Sequence, residues 1–198
     1  MGDIYTFNDS HDDFEFEVRF GAVDKRFYDK LLDVYDENRS VTVTETDIYL
    51  KDEPGARYTR KGKSSLLKKY TKTVIRRNNV IEGLVSKAKF TSCIKYVLSM
   101  EAPGETTYKA TNRSGVTKVK DELGNGMEIQ RIRGKRRKTF YLDKEKTVFI
   151  DATEVTDENN VVTYEIEVES TPQALKTPSV KTLFKQAVNK IYTDVLSE

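Results

Sequence analysis

Three stretches of the sequence set ionised side chains at every second position. In FEFEVRFG, residues 14 to 21, Glu15, Glu17 and Arg19 alternate with Phe14, Phe16, Val18 and Phe20; in YEIEVE, 164 to 169, Glu165, Glu167 and Glu169 alternate with Tyr164, Ile166 and Val168. The third row is basic: RIRGKRRKTF, 131 to 140, groups Arg131, Arg133, Lys135, Arg137 and Thr139 against Ile132, Gly134, Arg136, Lys138 and Phe140. Strand side chains alternate between faces, with same-face neighbours roughly 7 Å apart, so each stretch read as a strand lines up its charges on one surface. A bare row of three carboxylates repels itself. Taken singly, each row fits the solvated outer face of an antiparallel sheet. Two acidic rows and a basic one also fit the interior of a closed barrel whose apolar face turns outward against helices. There, carboxylates from facing strands can hold a divalent ion through oxygen while Arg and Lys clamp phosphate oxygens, the metal bridging the two.

Other chemistries lack their residues. One cysteine, Cys93, and one histidine, His11, cannot form an intrachain disulfide or a Cys/His zinc site, so any metal must be held by carboxylates. A cysteine-nucleophile phosphatase needs an Arg in the loop that follows its Cys, but Cys93 precedes IKYVLSM inside an apparent strand and reads as core. GKS at 62 to 64 is no P-loop, because the required upstream glycine position holds Arg57. His11 lies in a polar lead-in and reads as a solvated residue.

The elements that must carry these rows are mostly strands. Alternating segments bounded by turn residues predict strands near 13 to 21, 41 to 50, 56 to 61, 71 to 80, 88 to 101, 127 to 142, 146 to 155 and 161 to 170, the last two joined as a hairpin by TDENN, 156 to 160. Helices are expected at 24 to 37, where Phe27, Leu31, Val34 and Tyr35 share a face, and at 178 to 196, where Pro178 suits a first turn and Leu183, Ala187, Ile191 and Val195 recur at helical spacing. Segments 64 to 70 and 102 to 126 mix Gly with polar residues, show no sustained period and are expected to be mobile. At 198 residues with no Pro/Gly/Ser-rich linker, the expectation is one domain over 1 to 198 of α+β, mainly β class. The 34 basic and 32 acidic residues nearly cancel, so net charge alone argues for neither nucleic acid nor membrane. No long apolar run or leader pattern occurs, which predicts a soluble intracellular protein without membrane partners. The N-x-S matches at Asn8, Asn38 and Asn112 then carry no weight.

The E-x-E strand, RIRGKRRKTF, FIDATEV (149 to 155) and YEIEVE, in that order, resemble the metal-dependent RNA 5′-triphosphatases of fungal, protozoan and giant-virus mRNA capping, within the triphosphate tunnel metalloenzymes. The resemblance runs from about residue 13 to 172 and implies an eight-stranded antiparallel β-barrel, the triphosphate tunnel, with flanking helices. By motif it implies Glu15, Glu17 and Glu169 as metal ligands for Mg²⁺ or Mn²⁺, with Glu165 and Glu167 as tunnel carboxylates supporting metal and bases. It implies Lys135, Arg137 and Arg60 as catalytic contacts to the γ-phosphate, with Arg133 and Arg77 as further basic contacts. Glu101, closing YVLSME, resembles the residue that orients the attacking water, and Asp47, Asp151 and Thr153 resemble residues that steer the bases. Arg19 replaces a usual Lys, keeping charge but not geometry. Phe149 stands where the yeast enzyme has a basic residue.

The function so implied is hydrolysis of the γ-phosphate of 5′-triphosphate RNA, with some action on nucleoside triphosphates. No K-x-D-G occurs, so guanylyl transfer is expected elsewhere, in cis in a longer capping enzyme of which this is the N-terminal part, or in trans in a partner. A viral source implies a virion or cytoplasmic factory, a fungal one the nucleus. Two rivals stay open: an inorganic tripolyphosphatase or general nucleoside triphosphatase on the same fold, and a non-catalytic barrel that binds RNA ends. The second has no use for rows of glutamates, which repel phosphate without metal.

Overall fold

The alternating stretches are strands. The structure, a computed structural model, describes residues 14–20, 23–62, 66–77, 92–111, 115–120, 126–171 and 173–196, with side chains described at 16–20, 23–62, 67, 126–171 and 173–196. In chain order they form β1 (Phe14–Phe20), α1 (Lys25–Val34), β2 (Ser40–Leu50), β3 (Ala56–Lys61), β4 (Leu66–Arg77), β5 (Ser92–Thr111), β6 (Gly115–Lys120), β7 (Gly126–Met127), β8 (Ile129–Tyr141), β9 (Val148–Asp157), β10 (Val162–Ser170) and α2 (Pro178–Lys190). A 3-10 turn, Ala174–Lys176, precedes α2, and a π turn, Ile191–Val195, continues it.

Every ladder is antiparallel, in the order β1-β10-β9-β8-β2-β3-β4-β5, and β5 pairs back onto β1 from Ser92↔Phe20 to Leu98↔Phe14. Eight strands therefore follow one another around a ring, while β6 and β7 extend it from the distal part of β5. The expected antiparallel barrel with flanking helices is the fold observed. Two expected loops differ. Residues 66 to 70 begin β4, and β5 runs on to Thr111 with β6 beside it, although neither segment shows a local period. The ladders Leu66↔Thr107 and Tyr108↔Val119 supply the order that side-chain alternation does not predict.

Apolar positions of the ring face outward. Phe16, Val18 and Phe20 of β1, Ile166 and Val168 of β10, Val148, Ile150 and Ala152 of β9, and Phe140 of β8 form one buried core with α1 and α2. From α1 it takes Phe27, Tyr28 and Leu31; from α2 and its π turn it takes Phe184, Ala187, Val188, Ile191, Tyr192 and Val195. Burial of each large side chain here contributes roughly 1.5–3 kcal/mol. Asp24 caps α1, accepting from the Phe27 amide at 2.9 Å, and the helix ends at Val34, short of the expected 37. A second apolar group, Ile48, Leu50, Ala56, Tyr58 and Leu67, covers the outer face of β2 and β3. In the predicted hairpin, Asp157 accepts from the amides of Asn159 and Val161 at 2.8 Å, and Asn160 takes φ +62°, a conformation Asn tolerates. With the apolar residues outside, the alternate positions of these strands are turned to the inside of the ring.

Candidate active site

On the inner face of β1 and β10, register brings carboxylates together. Glu17 pairs with Glu169 directly, and Arg19 pairs with Glu167. The carboxylate oxygens of Glu17, Glu167 and Glu169 lie within 4.8 Å of one another, and the three residues are 2%, 2% and 5% exposed. Three buried carboxylates at this range demand positive charge. Arg19 supplies part, ion-paired with Glu167 and 3.6 Å from Glu165. Burial works against the Arg19 charge, but Glu167, Glu165 and Glu17 outweigh it and hold the guanidinium above its ordinary value. An all-oxygen, carboxylate-only set of this size fits a hard divalent cation.

The facing wall, β8 and β2, carries the bases. Lys135, 6% exposed, is ion-paired with Asp47, which also accepts from the Thr59 hydroxyl at 2.8 Å and lies 3.8 Å from Arg57. Burial opposes the Asp47 charge, yet Lys135, Arg57 and the Thr59 hydroxyl hold its carboxyl below the usual value. Arg137 meets Asp151 at 2.9 Å, and Asp151 accepts from Thr139 at 2.5 Å. Burial works against the Arg137 charge too; Asp151, Glu169, Glu167 and Glu45 raise it nonetheless. At Asp151, burial and the Glu167 charge raise the carboxyl against the pull of Arg137 and Thr139. Arg133 donates to Glu165 at 2.6 Å. Thr153 Oγ1 and Arg137 Nε are among the buried polar atoms that have no hydrogen-bond partner among the described residues. Buried donors in this state suit a ligand rich in acceptor oxygens.

No family model and no curated protein matches the chain. Among solved structures it resembles the mimivirus capping-enzyme triphosphatase, with TM-score 0.55 and 14% identity over 96% of this chain and 91% of that one. The RNA triphosphatase domain of a trifunctional mimivirus mRNA capping enzyme gives TM-score 0.51 and 15% identity over 88% and 89% of the two chains. A putative adenylyl cyclase from Hippeastrum with a dominant triphosphatase activity gives 0.50 and 11% over 90% and 87%. The chain has the triphosphate tunnel fold. At these identities the likeness is one of fold.

Within the tunnel, Glu17, Glu167, Glu169, Arg19, Arg133, Lys135, Arg137, Asp47, Asp151 and Thr153 all take inner-face positions. Glu165, expected as a tunnel carboxylate that supports metal and bases, is drawn to Arg133 and Arg19, while Glu167, expected in the same supporting role, joins Glu17 and Glu169 in the group that register assembles. Two basic residues take other places than the motifs imply. Arg60 lies on the outer alternation, donating to Thr46 Oγ1 at 3.3 Å, because Thr46↔Arg60 and Asp47↔Thr59 are successive pairs. The inward arginine of RYTR is Arg57. Arg77 pairs with Ile94, which pairs with Val18 on the outer alternation, whereas Arg76 pairs with Lys95, the partner of Glu17. Glu101 pairs with Tyr70 and shares the alternation of Lys95. The side chains of Glu15, Arg76, Arg77, Cys93 and Glu101 lie outside those described, as do His11 and Asn8 altogether. Arg57 was within reach of the sequence: Tyr58 is the apolar member of RYTRK, so its neighbours Arg57 and Thr59 take the opposite face.

Proposed function

We propose that the protein is a divalent-metal-dependent triphosphatase that removes the γ-phosphate from 5′-triphosphate RNA, the first step of mRNA capping, giving diphosphate RNA and orthophosphate. The observation that carries this reading is the pairing, inside one tunnel, of a buried three-carboxylate group with a wall of buried bases. Phosphoryl transfer asks the protein for positioning and charge rather than covalent chemistry. Mg²⁺ or Mn²⁺ held by Glu17, Glu167 and Glu169, with Glu15 beside them in β1, would supply Lewis-acid charge to a phosphate oxygen. Lys135 and Arg137 hold the remaining γ-phosphate oxygens, with Arg57 joining them where Arg60 was expected. Asp47 and Asp151 fix those bases in place, so that no reorganisation is needed as charge develops in the transition state. The unpartnered Thr153 hydroxyl donates to a phosphate oxygen. Glu101 orients the water in line with the leaving oxygen.

Contacts of this kind read phosphate, not base. The reading takes 1 to 198 as one tunnel domain, alone or as the N-terminal part of a capping enzyme, with guanylyl transfer in cis or in trans. The test is orthophosphate release from 5′-triphosphate RNA, ATP and tripolyphosphate with Mg²⁺ or Mn²⁺. Release of one phosphate per RNA end, leaving diphosphate RNA, is the expected result. Release from tripolyphosphate or ATP without release from RNA would move the function to an inorganic tripolyphosphatase or nucleoside triphosphatase.

A further inference from the structure

At one rim of the tunnel the inner alternation presents two aromatic side chains side by side. Phe149 pairs across the ladder with Glu169, itself the partner of Glu17, and Tyr141 pairs with Phe149. Their rings meet edge to face, 6.4 Å between centroids at 61°. Their chain neighbours Phe140, Val148 and Ile150 are fully buried outside, yet Phe149 and Tyr141 are only half-buried and belong to neither apolar core. Lys146 Nζ lies 4.8 Å over the Tyr141 ring, projected from the turn between β8 and β9. That turn is pinned: Asp143 accepts from the Thr147 amide at 2.7 Å, and the Ser170 hydroxyl donates to the Thr147 carbonyl at 2.8 Å. The platform therefore stands beside the carboxylate group, one inner-face step from Asp151 along β9. At the other end of β8, Arg131 covers the inner-face Tyr49 ring at 4.5 Å just as Lys146 covers Tyr141, so that among the described side chains Phe149 is the inner-face ring with no cation over it.

We propose that Phe149, packed against Tyr141, forms a stacking platform for the 5′-terminal base, so that the tunnel favours nucleotide-linked triphosphates over inorganic tripolyphosphate. This rests on the triphosphatase reading above. A triphosphate whose outer phosphates occupy the tunnel must carry its nucleoside out past one rim, and this rim adjoins the acidic group. Every base has a π face, so stacking here is tolerant of sequence, and Lys146 adds a cation for the next phosphodiester.

The protein contains no tryptophan, so Phe149→Trp installs a single reporter at the platform. The expected result is saturable quenching by β,γ-imido-ATP and by 5′-triphosphate RNA with Mg²⁺, and none by tripolyphosphate. Phe149→Ala should lower the ratio of kcat/KM for RNA to that for tripolyphosphate by about tenfold, the scale of losing one stacked base, and Phe149→Trp should preserve it. Equal quenching by tripolyphosphate, no quenching by any ligand, or an equal loss on all substrates in Phe149→Ala would overturn the proposal. Should Phe149→Trp fail to fold, Tyr141→Trp gives the same readout. Quenching by nucleotides in a protein that hydrolyses none of these substrates would sink the triphosphatase reading and leave the platform standing.

Discussion

Glu167 and Glu165 differ by one inner-face step on the same strand, and their partners separate them. Glu167 shares the buried group with Glu17 and Glu169, whereas Glu165 is tied to Arg133 at 2.6 Å. A ligand that binds only the folded state raises the melting temperature by mass action. Saturating Mn²⁺ should therefore raise Tm in wild type and in Glu165→Gln, and the shift should vanish in Glu167→Gln; the reverse pattern would return the metal to the arginine-bound end. Asp47 gives a pH signature. Its carboxyl is held below the ordinary 3.8, so its contribution to stability is present above that value and lost as pH falls through the lower folded value. Asp47→Asn should flatten the fall in unfolding free energy below about pH 4, measured by urea titration. An unchanged acid limb would mean the carboxyl is not so held. Glu17, Glu169 and the basic row were legible in the sequence because period two fixes a face. Arg60 was misplaced because its motif, unlike its alternation, ignores which face Tyr58 takes.

At the scale of elements, the ladders explain what local sequence could not. The 20-residue β5 pairs with β1, β4 and β6 along different parts of its length, and no period within 102 to 111 announces it. Strands β1, β9 and β10 were readable because one face of each meets the helices and the other the tunnel, which enforces alternation. Gly134, on the alternation opposite the basic row, is glycine without a conformational reason: a Cβ added there would meet only the Thr156 carbonyl at 3.7 Å, an ordinary contact. Glycine within a strand carries an entropic penalty of roughly 0.5–1 kcal/mol relative to Ala. Gly134→Ala is therefore expected to raise stability by about that amount in urea, and a loss would show that the strand needs closer approach at that point than Thr156 reveals.

Across the whole molecule, two faces of one sheet divide the labour. The outer face buries aromatic and aliphatic residues against α1 and α2, and this stability supports an inner face whose buried acids and bases are costly to desolvate. Among the described residues no helix is long and apolar enough to cross a membrane. Alternation in the sequence carried the antiparallel strands and their charged rows, and the resemblance carried the barrel that turns those rows inward. It did not carry which carboxylates converge, since that depends on the register of β1 against β10. The most direct test of the central claim is phosphate release from 5′-triphosphate RNA by wild type and by Glu17→Ala, each with Mn²⁺ and then with EDTA. The account predicts release by wild type with metal only and a loss of at least a hundredfold, on the order of 3 kcal/mol of transition-state stabilisation, in Glu17→Ala. Equal release with EDTA, or by Glu17→Ala, would contradict it.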